Sequence, residues 1–281
     1  MKKVICIVGP TASGKTSLSV ELALRIGAEI INADSVSLYK KLDIGSAKIT
    51  KEEMQNIPHH LIDHVDLDTE YTVYNFQQDV RNLLKQINIP MMVGGSGLYV
   101  QSALYDYAFE SQKDIQYPSK EKMVQFILKN DPEIDLDFNN IRRIESAYRT
   151  IVSGRLRSEK ANKNEPLYDI YLVYLDVDRS ILRQRVENRL KIMIEKGFIE
   201  EVKSLIGYDL NIIGYREIQN YLKGNDTLEG AKQKIVTATM RFAKRQKTWF
   251  LNQMQPHIYD ALDPNLLETV TKDVKKFLGD I

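Results

Sequence analysis

An α/β fold, a parallel sheet with helices on both faces, is the class this sequence predicts, and three observations predict it. Short β-rich runs alternate with longer helical patterns along most of the chain. A glycine-rich phosphate loop follows the first of those runs. The 281 residues are 43% hydrophobic, enough to bury a substantial core.

The elements follow in order. "VICIVG" reads as the first strand, "GPTASGKT" as the loop and about residues 14–26 as the first helix. "EIINAD" and "HLIDHV" read as strands, about 72–86 as a helix, "IPMMVGG" as a strand and about 96–105 as a helix. From Asp106 to Pro166 polar sequence carries two amphipathic stretches, "KEKMVQFILK" and "NNIRRIESAYRTIVSG", which predicts a small helical insertion. The alternation resumes with "IYLVYLDVD", helices over about 178–205 with a break near Gly197, and a helix over about 231–251. The tail beyond Asn252 ends in an expected surface helix. The expected organisation is therefore a core begun by residues 1–105, an insertion at 106–166 and a core completed by 167–281.

Composition narrows the function. A net charge of +1 excludes overall basicity as a source of nucleic-acid affinity, which must come from clustered charge. The single cysteine, Cys6, excludes an intramolecular disulfide; in an apolar run it reads as a small buried thiol and suits a reducing cytoplasm. No stretch is long enough for a membrane span, and the run after Met1 is too short for a signal-peptide core, so a soluble, cytoplasmic protein is expected.

Gly9-x-x-x-x-Gly14-Lys15-Thr16 sits after a strand and opens a helix, the context a phosphate loop requires. Its backbone amides and helix N-terminus attract an anion, Lys15 reaches the terminal phosphate and the Thr16 hydroxyl suits Mg²⁺. A bare strand-to-helix turn would explain the glycines but not Lys15 and Thr16. An ATPase of this type also wants an apolar strand ending in Asp, yet "IPMMVGGSGLY" ends in glycine. Asp34, closing "EIINAD", is the nearest acid; with Ser35 it either caps the next turn or stands beside the cradle for proton transfer.

"GPTASGKT", "NADSVSLYKKLDIGSAK", "PHHLIDHVD", "YTVYNFQQD", "VGGSGLY", "LDVDRSILRQRVENRLKIMIEKGFIEEVKSL", "IGYREIQNYL" and "RFAKRQKTWF" occur in the order seen in the tRNA isopentenyltransferase family, the tRNA dimethylallyltransferases, which the chain resembles over about residues 4–105 and 170–250. The resemblance implies a P-loop kinase-like core with a helical insertion. It implies transfer of a dimethylallyl group from dimethylallyl diphosphate to N6 of the adenosine just 3′ of a tRNA anticodon. The loop, Gly9, Thr11, Ala12, Ser13, Gly14, Lys15 and Thr16, would then hold a pyrophosphate leaving group with Mg²⁺ on Thr16. Asp34 would accept the amine proton, and Arg216 in "IGYRE" matches a family position associated with the active site. Arg185 and Arg189, four apart on one helix face, could close over the diphosphate or serve as surface salt bridges.

On the RNA side, Asp34, Ser35, Val36 and Ser37 form the expected adenine-contacting stretch, with Ser96. Ser37 stands where the family commonly has Gln, Ser96 where Thr is frequent and Met240 where Arg is common. Between Gly230 and Tyr259 there is no acidic residue, while Arg241, Lys244, Arg245 and Lys247 join Lys232 and Lys234, which makes a basic helix face for phosphate tracking. Ile235, Ala238, Phe242 and Trp249 lie toward the opposite, core side. Arg142 and Arg143 in the insertion could add a second backbone contact. His59 and His60 lack cysteine partners and read as structural rather than as metal ligands. The expected partners are dimethylallyl diphosphate and a tRNA anticodon stem-loop, with the protein a monomer. A metabolite kinase, an adenylate isopentenyltransferase and a silent RNA-binding module are the rival readings.

Overall fold

The computed structural model describes residues 1–107, 109, 115–158 and 165–279; the rest of the expected 106–166 insertion and the last two residues lie outside the described residues. Strand β1 (Lys3–Val8) is buried from Val4 onward, because helices cover both of its faces. Around it the chain builds β2 (Glu29–Asn32), β3 (His59–His60), β4 (Pro90–Gly94), β5 (Asp169–Asp176) and β6 (His257–Asp260). All pairings are parallel, in the order β3-β2-β4-β1-β5-β6. β1 is thus central, and the loop that leaves its carboxyl end lies between the ends of β4 and β5, where open parallel sheets bind ligands.

Alternation along the strands sorts the core into two layers. On one face Val4, Cys6, Val8, Met92 and Tyr174 pack with Phe76, Val80 and Leu84 of α2 (Val73–Gln86) and Val100 and Leu104 of α3 (Gly97–Leu104). On the other, Ile5, Ile7, Met91 and Leu175 meet Leu18 and Leu22 of α1 (Lys15–Ile26). Cys6 sits fully buried in mid-strand, and burial pushes its thiol pKa well above the usual range.

Contacts divide the chain into two compact units, Met1–Tyr105 with Pro166–Ile281, and Asp106–Glu165. The second holds α4 (Lys120–Asn130) and α5 (Ile141–Val152), capped by Ser119 and Asn140 and joined by a small core of Met123, Ile127, Ile144, Ala147 and Ile151. In the first, α6 (Arg179–Glu195), α7 (Phe198–Ser204), α8 (Tyr215–Leu222) and α9 (Leu228–Gln253) gather a further cluster around Leu190, Phe198, Tyr215, Ile235 and Met240. Gly197 separates α6 from α7, where the break is expected.

Four elements differ from expectation. "HLIDHV" supplies only the two-residue β3, because Leu61 and Asp63 take positive φ values of 60° and 51° and turn the chain out of the sheet. Strand β6 and helix α8 form in segments to which the sequence reading assigned no element. The last helix, α10 (Leu266–Leu278), is not a surface helix alone: it buries Val270 and Val274 in the layer that contains α1.

Candidate active site

The phosphate loop is held open at the end of β1. Gly14, φ 95°, occupies a left-handed conformation that L-residues other than glycine rarely adopt, and α1 starts at Lys15 without a side-chain cap. Its first amides are therefore free of an internal acceptor side chain. The Lys15 ammonium turns back to donate to Pro10 O at 2.6 Å. Burial pushes its pKa down to about 8, against the attraction of Asp34 and with the repulsion of Arg189.

Helix α6 closes over this loop. Arg185 Nη1 reaches Ala12 O at 3.5 Å, and Arg189 donates to Thr11 Oγ1 at 3.3 Å and Ser46 O at 3.1 Å. Among the described residues neither arginine forms a salt bridge; both lie against the phosphate loop. Burial lowers the Arg189 pKa, and the nearby Asp34 carboxylate counters that effect.

Asp34 follows β2 and does two things. Its Oδ1 accepts the Val36 amide at 2.9 Å, the turn-capping role, which leaves Oδ2 without a hydrogen bond among the described residues. Asn32 fixes the backbone there, its Oδ1 accepting Asp34 N at 3.0 Å while its Nδ2 donates to Asp34 O at 3.0 Å and Leu61 O at 2.9 Å. Ser96 Oγ accepts Ser35 N at 3.2 Å, so Ser96 braces Ser35.

Three adjoining hollows share Lys15 and Arg189 in their walls. The first, about 330 Å³, is a chamber lined by Asp34, Ser35 and Val36 together with apolar Met193, Phe198 and Phe242. The second, about 100 Å³, holds Thr16, Asn32, Asp34, Ser37 and His59. The third is an open groove of about 870 Å³ along Ala12, Ser13, Gly14, Thr16 and Arg185. Together they join an anion cradle to an apolar chamber with a carboxylate on its wall.

One residue in the chamber carries no sequence signal of its own. Gln246 of α9 is buried and donates through Nε2 to Gly95 O at 2.8 Å, which fixes the amide's orientation and leaves its Oε1 buried with no donor. Thr239 and Asn211 line the same chamber and were also not singled out.

Arg216 stands apart from the other expected site residues. Its guanidinium is bound by Glu217 and by Asn211 Oδ1 at 3.1 Å, and it lines none of the three hollows. Glu217 is buried and accepts Gly214 N at 2.7 Å, so Arg216 balances a helix-capping carboxylate.

On α9, Arg241, Lys244 and Arg245 are exposed, with Arg245 lying 5.7 Å from the Phe242 ring centroid. Lys247 departs from expectation: it is bound to both Asp176 oxygens at 2.7 Å, and Lys234 is bound to Asp226 at 2.7 Å. The same ion pair occupies the acid that ends β5. Trp249 is also partly exposed, beside Lys244 and Arg245, while Met240, Ala243 and Phe250 take the core side. Arg142 and Arg143 stand exposed on α5 of the second unit.

The sequence profile of the IPP transferase family matches residues 37–253. A tRNA dimethylallyltransferase of Acholeplasma laidlawii is 67% identical over 99% of this chain and 100% of its own length. The solved tRNA isopentenylpyrophosphate transferase of Bacillus halodurans is similar with a TM-score of 0.79 and 33% identity, covering 100% of this chain and 98% of that one. A eukaryotic dimethylallyltransferase solved acting on tRNA gives a TM-score of 0.88 at 27% identity, covering 100% of this chain and 80% of that one.

Proposed function

Because the chain belongs to the IPP transferase family, we propose that it transfers the dimethylallyl group of dimethylallyl diphosphate to N6 of the adenosine 3′-adjacent to the anticodon in tRNA and releases pyrophosphate. The observation that carries this reading is the apolar chamber bearing Asp34 that adjoins the phosphate cradle through the shared Lys15 and Arg189. A phosphoryl-transfer enzyme would need a free acid at the end of a strand beside β1. β4 ends in Gly94, and the Asp176 that ends β5 is bound by Lys247.

The chemistry follows from these positions. The allylic C1–O bond breaks with its electron pair passing to the diphosphate oxygen, and Lys15, Arg185, Arg189 and the loop amides balance that charge. Positive charge spreads over the allyl unit inside the chamber. The N6 lone pair forms the new C–N bond, and the proton that N6 must lose goes to Asp34. Gln246 Oε1, an acceptor buried without a donor, suits the second N6 hydrogen. An adenine reaches this chamber only when unstacked from its loop.

The donor set also fits Mg²⁺. Among the described residues no group of three His, Cys, Asp or Glu side chains could hold a metal, whereas the exposed Thr16 hydroxyl would offer one protein oxygen to a Mg²⁺ carried in by the diphosphate. When bound, the ion adds further charge stabilisation to the leaving diphosphate. No helix among the described residues is long and apolar enough to cross a membrane; the reading sets the enzyme in the cytoplasm with its tRNA.

Incubation with dimethylallyl diphosphate, Mg²⁺ and unmodified tRNA should yield a prenylated adenosine beside the anticodon by mass spectrometry. Prenylation of free AMP with none of tRNA, or phosphoryl transfer from ATP, would reject the proposal. The exposed basic residues of α9 carry RNA affinity in this reading. Charge removal at Lys244 and Arg245 should weaken tRNA binding and lower its salt slope by roughly one unit per lost phosphate contact, with much less change in turnover at saturating tRNA. An unchanged salt slope would mark these residues as solvated surface.

A further inference from the structure

Residues 43–46 approach the phosphate cradle from outside it, and one carboxylate fixes them there. Glu201 of α7 accepts three successive backbone amides: Asp43 N at 3.1 Å and Ile44 N at 2.7 Å on Oε2, and Gly45 N at 3.0 Å on Oε1. The same Oε1 accepts the hydroxyl of the fully buried Tyr215 at 2.6 Å. Charge-assisted bonds of this kind are about twice as strong as neutral ones, and here they converge on a backbone nest that no cation shares among the described residues.

The loop is closely packed at Gly45. A Cβ on Gly45 would lie 2.2 Å from Phe198 Cε2 and 2.6 Å from Tyr215 Cζ, so the backbone is pressed onto those rings with its amides toward Glu201. One residue later, Ser46 O accepts Arg189 Nη2 at 3.1 Å while Arg189 Nη1 bonds Thr11 Oγ1 of the cradle. Lys48 closes the far end, its buried ammonium bound to Tyr39 O at 2.8 Å and Asp43 Oδ1 at 2.6 Å. A continuous path of hydrogen bonds and peptide links therefore runs from Glu201 through residues 43–46 to Arg189 and the phosphate loop.

We infer that Glu201 is a positioning residue for diphosphate binding, acting through Ser46 O to aim the Arg189 guanidinium at the cradle. This rests on the reading of the loop as a pyrophosphate site. Glu201 touches no reacting atom; it sets the direction of the cation that does. Its substitution therefore weakens the grip on diphosphate and leaves tRNA affinity alone.

The test is calorimetric binding of inorganic pyrophosphate with Mg²⁺ to the folded protein. Glu201→Gln should weaken binding about tenfold, the lower end for losing bonds to a charged group. In an Arg189→Ala background the same change should alter affinity by no more than about twofold, because the two act as one unit. Should Glu201→Gln not fold, Tyr215→Phe keeps the ring against Phe198 and deletes only the hydroxyl; it should weaken pyrophosphate binding about threefold, and again not in the Arg189→Ala background. Undiminished affinity in Glu201→Gln, or in Tyr215→Phe where that is the variant measured, overturns the inference. So does an equal loss with and without Arg189. A parent protein that fails to bind pyrophosphate overturns the functional reading and the inference with it; a parent that binds while the variants bind equally well overturns the inference alone.

Discussion

Asp34→Asn should fold, bind both substrates at pH 7 nearly as the parent does, and lose single-turnover rate by ~10²–10⁴. The structure says why folding survives: Oδ1 of the new amide can still accept the Val36 amide, and Asn32 still holds the backbone. What is lost is the oxygen that carries no hydrogen bond among the described residues and could take the N6 proton. Asp34 also raises the Lys15 pKa, so removing its charge lowers that pKa below about 8 and starts the loss of diphosphate affinity at lower pH. Chemistry and affinity must accordingly be separated at or below pH 7. Near-normal single-turnover chemistry, or a loss confined to diphosphate affinity, would reject the general-base role and leave Asp34 as a metal-shell residue.

Lys15→Ala should cut turnover by at least ~10²–10³, the usual cost of removing one preorganised donor from a developing anion. A pH signature accompanies it. In the free protein Lys15 is charged below about pH 8 and neutral above, and only the ammonium binds diphosphate well. Pyrophosphate affinity should therefore fall above that pH, with proton uptake on binding in the alkaline range. Lys15→Ala removes that alkaline limb. A limb that persists in the variant belongs to another group, and tight ATP binding with phosphoryl transfer would restore the kinase reading.

The phosphate loop was legible because its chemistry is local. Gly14, Lys15 and Thr16 must be adjacent for the backbone to turn and the helix to begin, so contiguous sequence contains the whole device. Strands β1, β4 and β5 were legible for a related reason, since burial on both faces leaves unbroken apolar runs. The "HLIDHV" run mixes Leu61, Ile62 and Val65 with His60, Asp63 and His64, and tertiary contacts decide it: Asp63 N donates to Ser37 O at 3.3 Å and Lys48 reaches Asp63 Oδ1 at 2.5 Å, which hold the chain in a turn. Gln246 and Glu201 left no trace because each is defined by a partner far away in sequence, Gly95 for one and Asp43 to Gly45 for the other. Lys247 shows the same limit on the charged side. Charge counted along α9 cannot see Asp176, which arrives from β5 to neutralise it.

Cys6 turns the sheet's centre into a clock. It is the only thiol in the chain, lies fully buried on the strand flanked by β4 and β5, and has a pKa driven up by that burial. An alkylating reagent can reach it only when the sheet opens, so one labelling rate reports the opening of the central strand with no competing signal. The phosphate loop begins directly after that strand, and pyrophosphate bound there should slow the rate in proportion to its occupancy.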